Sequence, residues 1–276
     1  MVLAAVLGAA LLHSSWHAMI KRAPNRVVGL AGMNVVSVAV GLCAIPFVAV
    51  PPPSLWLVLA VSVGLHNAYK VALARLYAVG DLGQAFPMAR GMAPLAATVL
   101  AGLFLAEWPG GWQLVGIAAI SAGLIWLALE GPGPIFNRSI VLAAAVTGSA
   151  VAAYSVVDSY GVRLWNDWLS FTVWLVVLDG GTFIALSRWR TGPTFWNSIA
   201  LRSRAVLVSG GLGVVSFSVF LWALGRAPVG SVTALREVSV LFTSAIGVLA
   251  LHERTSLPRI AGALLVTGGV ALLALS

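Results

Sequence analysis

Arg90, Leu105, Glu107, Gly116, Gly123 and Leu129 recur as Arg236, Leu251, Glu253, Gly262, Gly269 and Leu275, each 146 residues further along with no gap. The shared pattern is an Arg, a long apolar run, a Leu-x-Glu turn and a Gly-bearing apolar run. A chain duplicated in this way is expected to fold as two copies of one unit. If each unit holds an odd number of membrane crossings, the copies lie upside down relative to each other, the plan of many secondary transporters.

Composition makes the crossings the expected solution. The 276 residues are 60% hydrophobic and 9% charged, whereas a soluble domain carries about 25% charged residues. Such a chain cannot cover itself with polar side chains, so its solvent is lipid, where only helices and closed barrels satisfy the backbone. The apolar runs last about 20 residues without two-residue alternation, the signature of helices and not of barrel strands. Punctuation by Pro, Gly and charge predicts ten spans, near 2–20, 27–49, 55–78, 82–105, 112–129, 139–160, 169–187, 205–224, 230–250 and 260–275. The fold class expected is an all-α polytopic membrane protein whose ten transmembrane helices form two inverted five-helix repeats, residues 1–131 and 138–276. The longest connection is Arg188 to Arg204, and none is long enough for a soluble domain.

Charge bias gives a second argument for inversion. Lys21, Arg22 and Arg26 separate spans 1 and 2. In the second half the basic clusters move to the loops between spans 7 and 8 (Arg188, Arg190, Arg202, Arg204) and between spans 9 and 10. All these loops share one face only if the halves are inverted, and the positive-inside rule makes that face cytoplasmic and both termini external. The net charge of +8 therefore reads as membrane orientation, with lipid as a partner and nucleic acid as none. The first segment lacks a basic stretch before its apolar core, so no cleavable signal is expected. Cys43 is a single cysteine in an apolar run, which leaves no disulfide framework. Small residues at four-residue spacing, Ala93, Ala97 and Ala101 in span 4 and Ala263, Thr267 and Ala271 in span 10, allow close helix approach. Packing within a monomer is the expected use, with a dimer seam as the alternative.

An ionisable group inside a span costs about 2.5–3.5 kcal/mol on insertion scales, so it persists where it faces a cavity or a partner. The candidates are His13, His17, Lys70, Arg90, Asp158, Asp179, Arg236 and Glu237. Arg90 and Arg236 hold equivalent repeat positions, where a guanidinium can grip a substrate carboxylate or phosphate. Alternatively each is structural, and Glu237 is the obvious local partner for Arg236. Span 3 aligns His66, Tyr69, Lys70, Leu73 and Tyr77 at helical spacing, a stripe expected to line a cavity or bond a neighbouring helix. Lys70 could also snorkel. Span 1 aligns His13, Trp16, His17, Ile20 and Lys21. Two histidines one turn apart invite a metal reading, but no Glu or Cys lies nearby to complete a set, so neither a metal site nor another cofactor is expected. Cavity lining with proton coupling is the functional alternative to structural hydrogen bonding. Tyr154 of span 6 is the counterpart of Trp16 at an offset of 138, and Asp158 follows it by one turn. Asp158 and Glu237 are the proton-coupling candidates, Asp158 facing a cavity or else solvated near the helix end. Glu107 and Glu253 sit in short turns suited to capping. Pro87 and Pro94 free backbone carbonyls in span 4, as at the helix breaks that mark transport sites.

The run Ala-Leu-Leu-His-Ser-Ser-Trp-His-Ala-Met-Ile-Lys (10–21), Leu65-His66 with Tyr69, the stretch Phe86-Pro87-x-x-Arg90-Gly91-x-x-Pro94, Ala-Leu-Arg-Glu-Val-Ser-Val-Leu-Phe (234–242) and Leu-x-Glu-Arg (251–254) together resemble EamA-type transporters of the drug/metabolite transporter superfamily. His17 stands where that family usually has Asn. The resemblance covers essentially the whole chain. It implies a bacterial plasma (inner) membrane protein with a cavity lined mainly by helices 1, 3, 4, 6, 8 and 9. It also implies transport of a small-molecule substrate such as a metabolite, amino acid or drug, often outward. Many members keep both termini in the cytoplasm, opposite to the charge bias. A flippase for a lipid head group or lipid-linked sugar is the alternative cargo reading. An enzyme is disfavoured, because the eight acids are dispersed and no Gly-x-Ser-x-Gly or His-Glu-x-x-His occurs. An ATPase is disfavoured likewise, for want of a phosphate-binding loop.

Overall fold

Proline and short polar side chains set the helix ends. In a computed structural model, residues 1–21, 26–80, 82–129, 137–200, 203–242 and 256–276 are described, with side chains other than those of 17–21, 26–28, 82, 83, 200 and 203. Their elements are α1 (Val2–Lys21), α2 (Arg26–Ala44) with a 3-10 turn (Ile45–Phe47), α3 (Pro53–Val79), α4 (Leu82–Leu105), α5 (Gly111–Leu129), α6 (Arg138–Trp165), α7 (Trp168–Thr191), a 3-10 turn (Gly192–Thr194), α8 (Phe195–Ala200), α9 (Ser203–Leu224), α10 (Val229–Glu237) and α11 (Leu257–Leu275). Asn137 accepts from Ser139 N at 2.9 Å, Asp167 from Ser170 N at 3.1 Å and Ser256 from Arg259 N at 3.3 Å. Each satisfies an orphan donor of a helix start. Asn166 closes α6 in the left-handed conformation (φ 55°) and Gly192 closes α7 at φ 73°.

Among the described residues every element is helical, and eight helices are long and apolar enough to cross a membrane: α2 to α7, α9 and α11. The ten expected spans thus exceed this count by two. For span 1 the apolar stretch with described side chains is Val2–Trp16. Span 9 is described as α10 and, after a turn at Val238, helical residues 239–242; its remainder lies outside the described residues. The connection from Arg188 to Arg204 contains a 3-10 turn and α8. Phe195 within it is fully buried against Ala31, Phe183 and Val206, so apolar burial folds this connection back onto the bundle. Large apolar side chains including Leu57, Leu103, Phe104 and Leu264 are exposed on the outer surface, the arrangement lipid favours. Trp108 and Trp112, beside the ends of α4 and α5, and Trp189 near the end of α7 are exposed as well, as in interfacial aromatic belts.

The packing is two-fold in character. α1 lies along α9 as α3 lies along α6, and α10 meets α1 as α4 meets α6. Equivalent helices of the two halves pack against each other in opposite directions. A Cβ on Gly116 would sit 2.9 Å from the carbonyl of Gly269, and one on Gly123 would sit 2.8 Å from the carbonyl of Gly262, so α5 and α11 are antiparallel and touch backbone to backbone. In α2 and α7, Gly41 faces Val177 and Gly180 faces Val38, again antiparallel. In α4 and α10, Arg90 meets Glu237 and Thr98 meets Gly230. Small residues make these approaches possible where lipid offers no hydrophobic drive for association.

The expected small-residue stripes divide. Ala93, Ala97 and Ala101 are buried in the core with α6 residues. In α11 the face that packs is Gly262, Val266 and Gly269 instead, while Ala263 is half-buried and Thr267 and Ala271 are exposed. Glycine removes more bulk than Ala or Thr, so the backbone contact with α5 selects the glycine face.

Candidate functional site

A cavity of about 140 Å³ lies between the halves, walled by α1, α2, α3, α6, α7, α9 and α10. Seven of the residues expected to bind substrate line it: His13, Trp16, His66, Tyr69, Lys70, Tyr154 and Arg236. The span 3 stripe faces it through Leu73 but not to its end, because Tyr77 packs beside Phe86 at 6.2 Å. His17 falls outside the described side chains, as does the turn acid Glu253. Helices 2 and 7, which the resemblance did not implicate, contribute Asn34, Ser37, Val176 and Asp179. Helix 4, which it did, contributes no lining residue.

The reason is the fate of Arg90. This side chain is 1% exposed and its Nη1 donates to both carboxylate oxygens of Glu237 at 3.0 Å. Its Nη2 donates to His13 Nε2 at 3.1 Å and to Tyr69 Oη at 3.4 Å, and the guanidinium lies 4.8 Å from the Phe86 ring. Arg90 is thereby turned into the α4–α10 crossing and supports the cavity wall from behind. The local Arg236–Glu237 pair expected from sequence does not form. Consecutive residues leave a helix about 100° apart and do not face one another; Glu237 points to α4 while Arg236 points to the cavity. Glu237, fully buried, accepts both bonds from Arg90 and is not part of the central cavity wall.

Arg236 is half-buried. Its Nη1 donates to Tyr154 Oη at 3.0 Å, and its guanidinium lies 4.2 Å from the Phe220 ring and 5.8 Å from that of Tyr154. No carboxylate among the described residues lies within ion-pair distance of it.

Two further charged clusters border the cavity. Lys70 Nζ donates to Asp179 at 2.7 Å and to Asn34 at 3.2 Å and lies over Phe183; it pairs inside the bundle and does not snorkel. Asp158, in the last third of α6 but fully buried and so not solvated, accepts from Ser62 and from His66 Nε2, the latter at 2.9 Å. The His66 ring stacks on Tyr154 at 4.1 Å and meets Phe217 edge-on at 5.4 Å. Sequence reading singled out Asp179 as a charge within a span but not as a site residue, and missed Asn34 and Phe217. A lone carboxylate and a lone amide in mid-span were the available signals for Asp179 and Asn34; Phe217 carried none. Glu107 accepts from Val229 N at 3.1 Å, at the start of α10, and pairs with Arg163 at 3.2 Å.

A second, larger recess of about 550 Å³ lies between α3 and α6, with apolar walls including Val71, Ala72, Leu142 and Val146 and with Asn67 and Arg75 as its polar members.

A model of the EamA-like transporter family matches residues 138–275. The chain belongs to the EamA-like transporter family. It is therefore an integral membrane protein of a transporter family, not of an enzyme family. Twenty-nine chains of solved structure match it. One crystal structure, titled only as that of a protein, is similar over 99% of this chain and 98% of its own, at 20% identity and a TM-score of 0.78. At that identity the likeness concerns the fold. No curated protein matches.

Proposed function

We propose that this member of the EamA-like family is a secondary transporter that carries a small polar solute through the central cavity by alternating access. In this reading it sits in a bacterial plasma membrane as a monomer of ten spans, arranged as inverted units 1–131 and 138–276. The observation that carries it is the cavity itself, walled by charged, polar and aromatic side chains from both units. The antiparallel contacts of equivalent helices, α5 with α11, α2 with α7 and α4 with α10, support the inversion. They also give a means of switching, since two matched units can rock about the shared seam. Delivery outward is what the family resemblance suggests; the gradients of solute and coupling ion decide it.

The test needs no knowledge of the solute. With Cys43 replaced by Ala, a Val214→Cys variant places one thiol in the cavity wall. In oriented vesicles a membrane-impermeant maleimide should label it from either face, in separate experiments. Labelling from one face only, or from neither, rules out alternating access. The lateral recess between α3 and α6 favours the flippase alternative, because it opens an apolar trough with Arg75 at its edge. Movement of a fluorescent phospholipid across proteoliposomes would favour that alternative, while the 140 Å³ of the central cavity suits a small solute.

A further inference from the structure

Resting on the central-cavity reading, we infer that the solute is a small organic monoanion held by Arg236, and that it crosses together with a proton carried by His66 against Asp158. Charge must balance inside a low-dielectric bundle. Arg90 is neutralised by Glu237 and Lys70 by Asp179. Among the described groups around the cavity two unlike charges remain, Arg236 and Asp158, separated by the stacked rings of Tyr154 and His66. With His66 neutral the empty site sums to zero. An anion on Arg236 alone would leave the bundle with a net negative charge, which is expensive at the membrane centre. An anion accompanied by a proton restores neutrality, so both the empty and the doubly loaded forms can reorient while the half-loaded ones cannot.

Hydrogen-bond chemistry selects which histidine takes the proton. A guanidinium only donates, so His13 Nε2 accepts from Arg90, and its imidazole is neutral for as long as that bond lasts. An ionised carboxylate only accepts, so His66 Nε2 donates to Asp158, leaving Nδ1 to bind the incoming proton and form an imidazolium against a carboxylate. The groups that face His66 agree with this. From α6 come Asp158 and Tyr154, and from α10 comes Arg236 behind the Tyr154 hydroxyl. Helix α7 presents Asp179, already held by Lys70, and α1 presents His13, held by Arg90. On its own helix Tyr69 is held by Arg90, and the α9 neighbour is the uncharged Phe217. A proton on His66 strengthens the field that holds an anion on Arg236, and linkage makes the effect reciprocal: anion binding draws the proton in.

The test is proton uptake on ligand binding by the purified full-length protein, in weak buffer with a pH-indicating dye. The monoanions methanesulfonate and lactate are compared with L-alanine and methylammonium. Each bound monoanion should take up about one proton, and methylammonium should neither bind nor take one up. Arg236→Gln should weaken monoanion binding at least about tenfold, one charged contact being worth that much. His66→Gln should retain weaker binding but lose the proton uptake, a signature that a merely structural histidine would not give. Should His66→Gln fail to fold, Asp158→Asn removes the carboxylate and should abolish uptake in the same way. The inference is overturned if neither monoanion binds the wild type, if both bind without proton uptake, or if uptake survives both replacements. Two-sided labelling at position 214 combined with any of those results sinks the anion–proton pairing alone and leaves the cavity as a transport route.

Discussion

Arg90 and Arg236 hold the same place in the two halves of the chain, yet they have opposite surroundings. Arg90 is enclosed, with Glu237, His13 and Tyr69 taking its donors. Among the described residues Arg236 faces the cavity with one hydrogen bond, to Tyr154, and two aromatic rings. The difference comes from the next residue along. Position 237 is Glu, and its repeat equivalent, position 91, is Gly. A side chain at 91 has no room: a Cβ there would lie 2.8 Å from Ile125 and 2.9 Å from the Ser121 carbonyl. One acid therefore serves two arginines, and it goes to Arg90. One neighbouring position thus separates the two arginines: Arg90 is held in a buried ion pair, and Arg236 faces the cavity.

The comparison breaks if the two arginines prove alike in their effect on stability. The largest effect is expected from Glu237→Gln, which leaves the Arg90 charge buried without its counter-ion. Removing one member of a buried pair costs about 3–5 kcal/mol, to be read from thermal melting in detergent. Replacing both residues at once, Arg90→Met with Glu237→Leu, should recover most of that loss, because two apolar groups need no solvation; a double variant as unstable as the single one would refute the locking role. A smaller loss, about 1–3 kcal/mol for overpacking, is expected from Gly91→Ala, and it tests the steric reason for the missing acid. The smallest belongs to Arg236→Gln. Losing the bond to Tyr154 should cost about 1 kcal/mol, and a loss approaching that of Glu237→Gln would show that Arg236 is a structural group after all.

How much of this was legible depends on the range of the interaction. Helix spans follow from local hydropathy, and the described ends of α3, α4 and α5 lie within two residues of those read from Pro, Gly and charge. The cavity stripe His66, Tyr69, Lys70 and Leu73 follows from helical spacing alone. Partner choice does not. Arg90 and Glu237 are 147 residues apart, and the competing partner for Glu237 was its immediate neighbour. Nor does the packed face of an apolar helix reveal itself when lipid and protein interior are equally apolar: in α11 the stripe Ala263, Thr267, Ala271 looked as suitable as the Gly262–Val266–Gly269 face that is used. Helices 2 and 7 line the cavity through one amide and one carboxylate each set in a long apolar run, too sparse to form a pattern.

The glycine seam of α5 and α11 carries a consequence for the origin of such chains. Gly116 touches Gly269 and Gly123 touches Gly262, while in the repeat Gly116 corresponds to Gly262 and Gly123 to Gly269. Each surface therefore meets the copy of itself, the property of an isologous dimer contact. A half-length ancestor bearing these two glycines would already have owned both sides of the joint. Pairing two such molecules antiparallel in the membrane would have required no new surface, and fusing their genes would have fixed in one polypeptide an association that self-complementarity had already made possible.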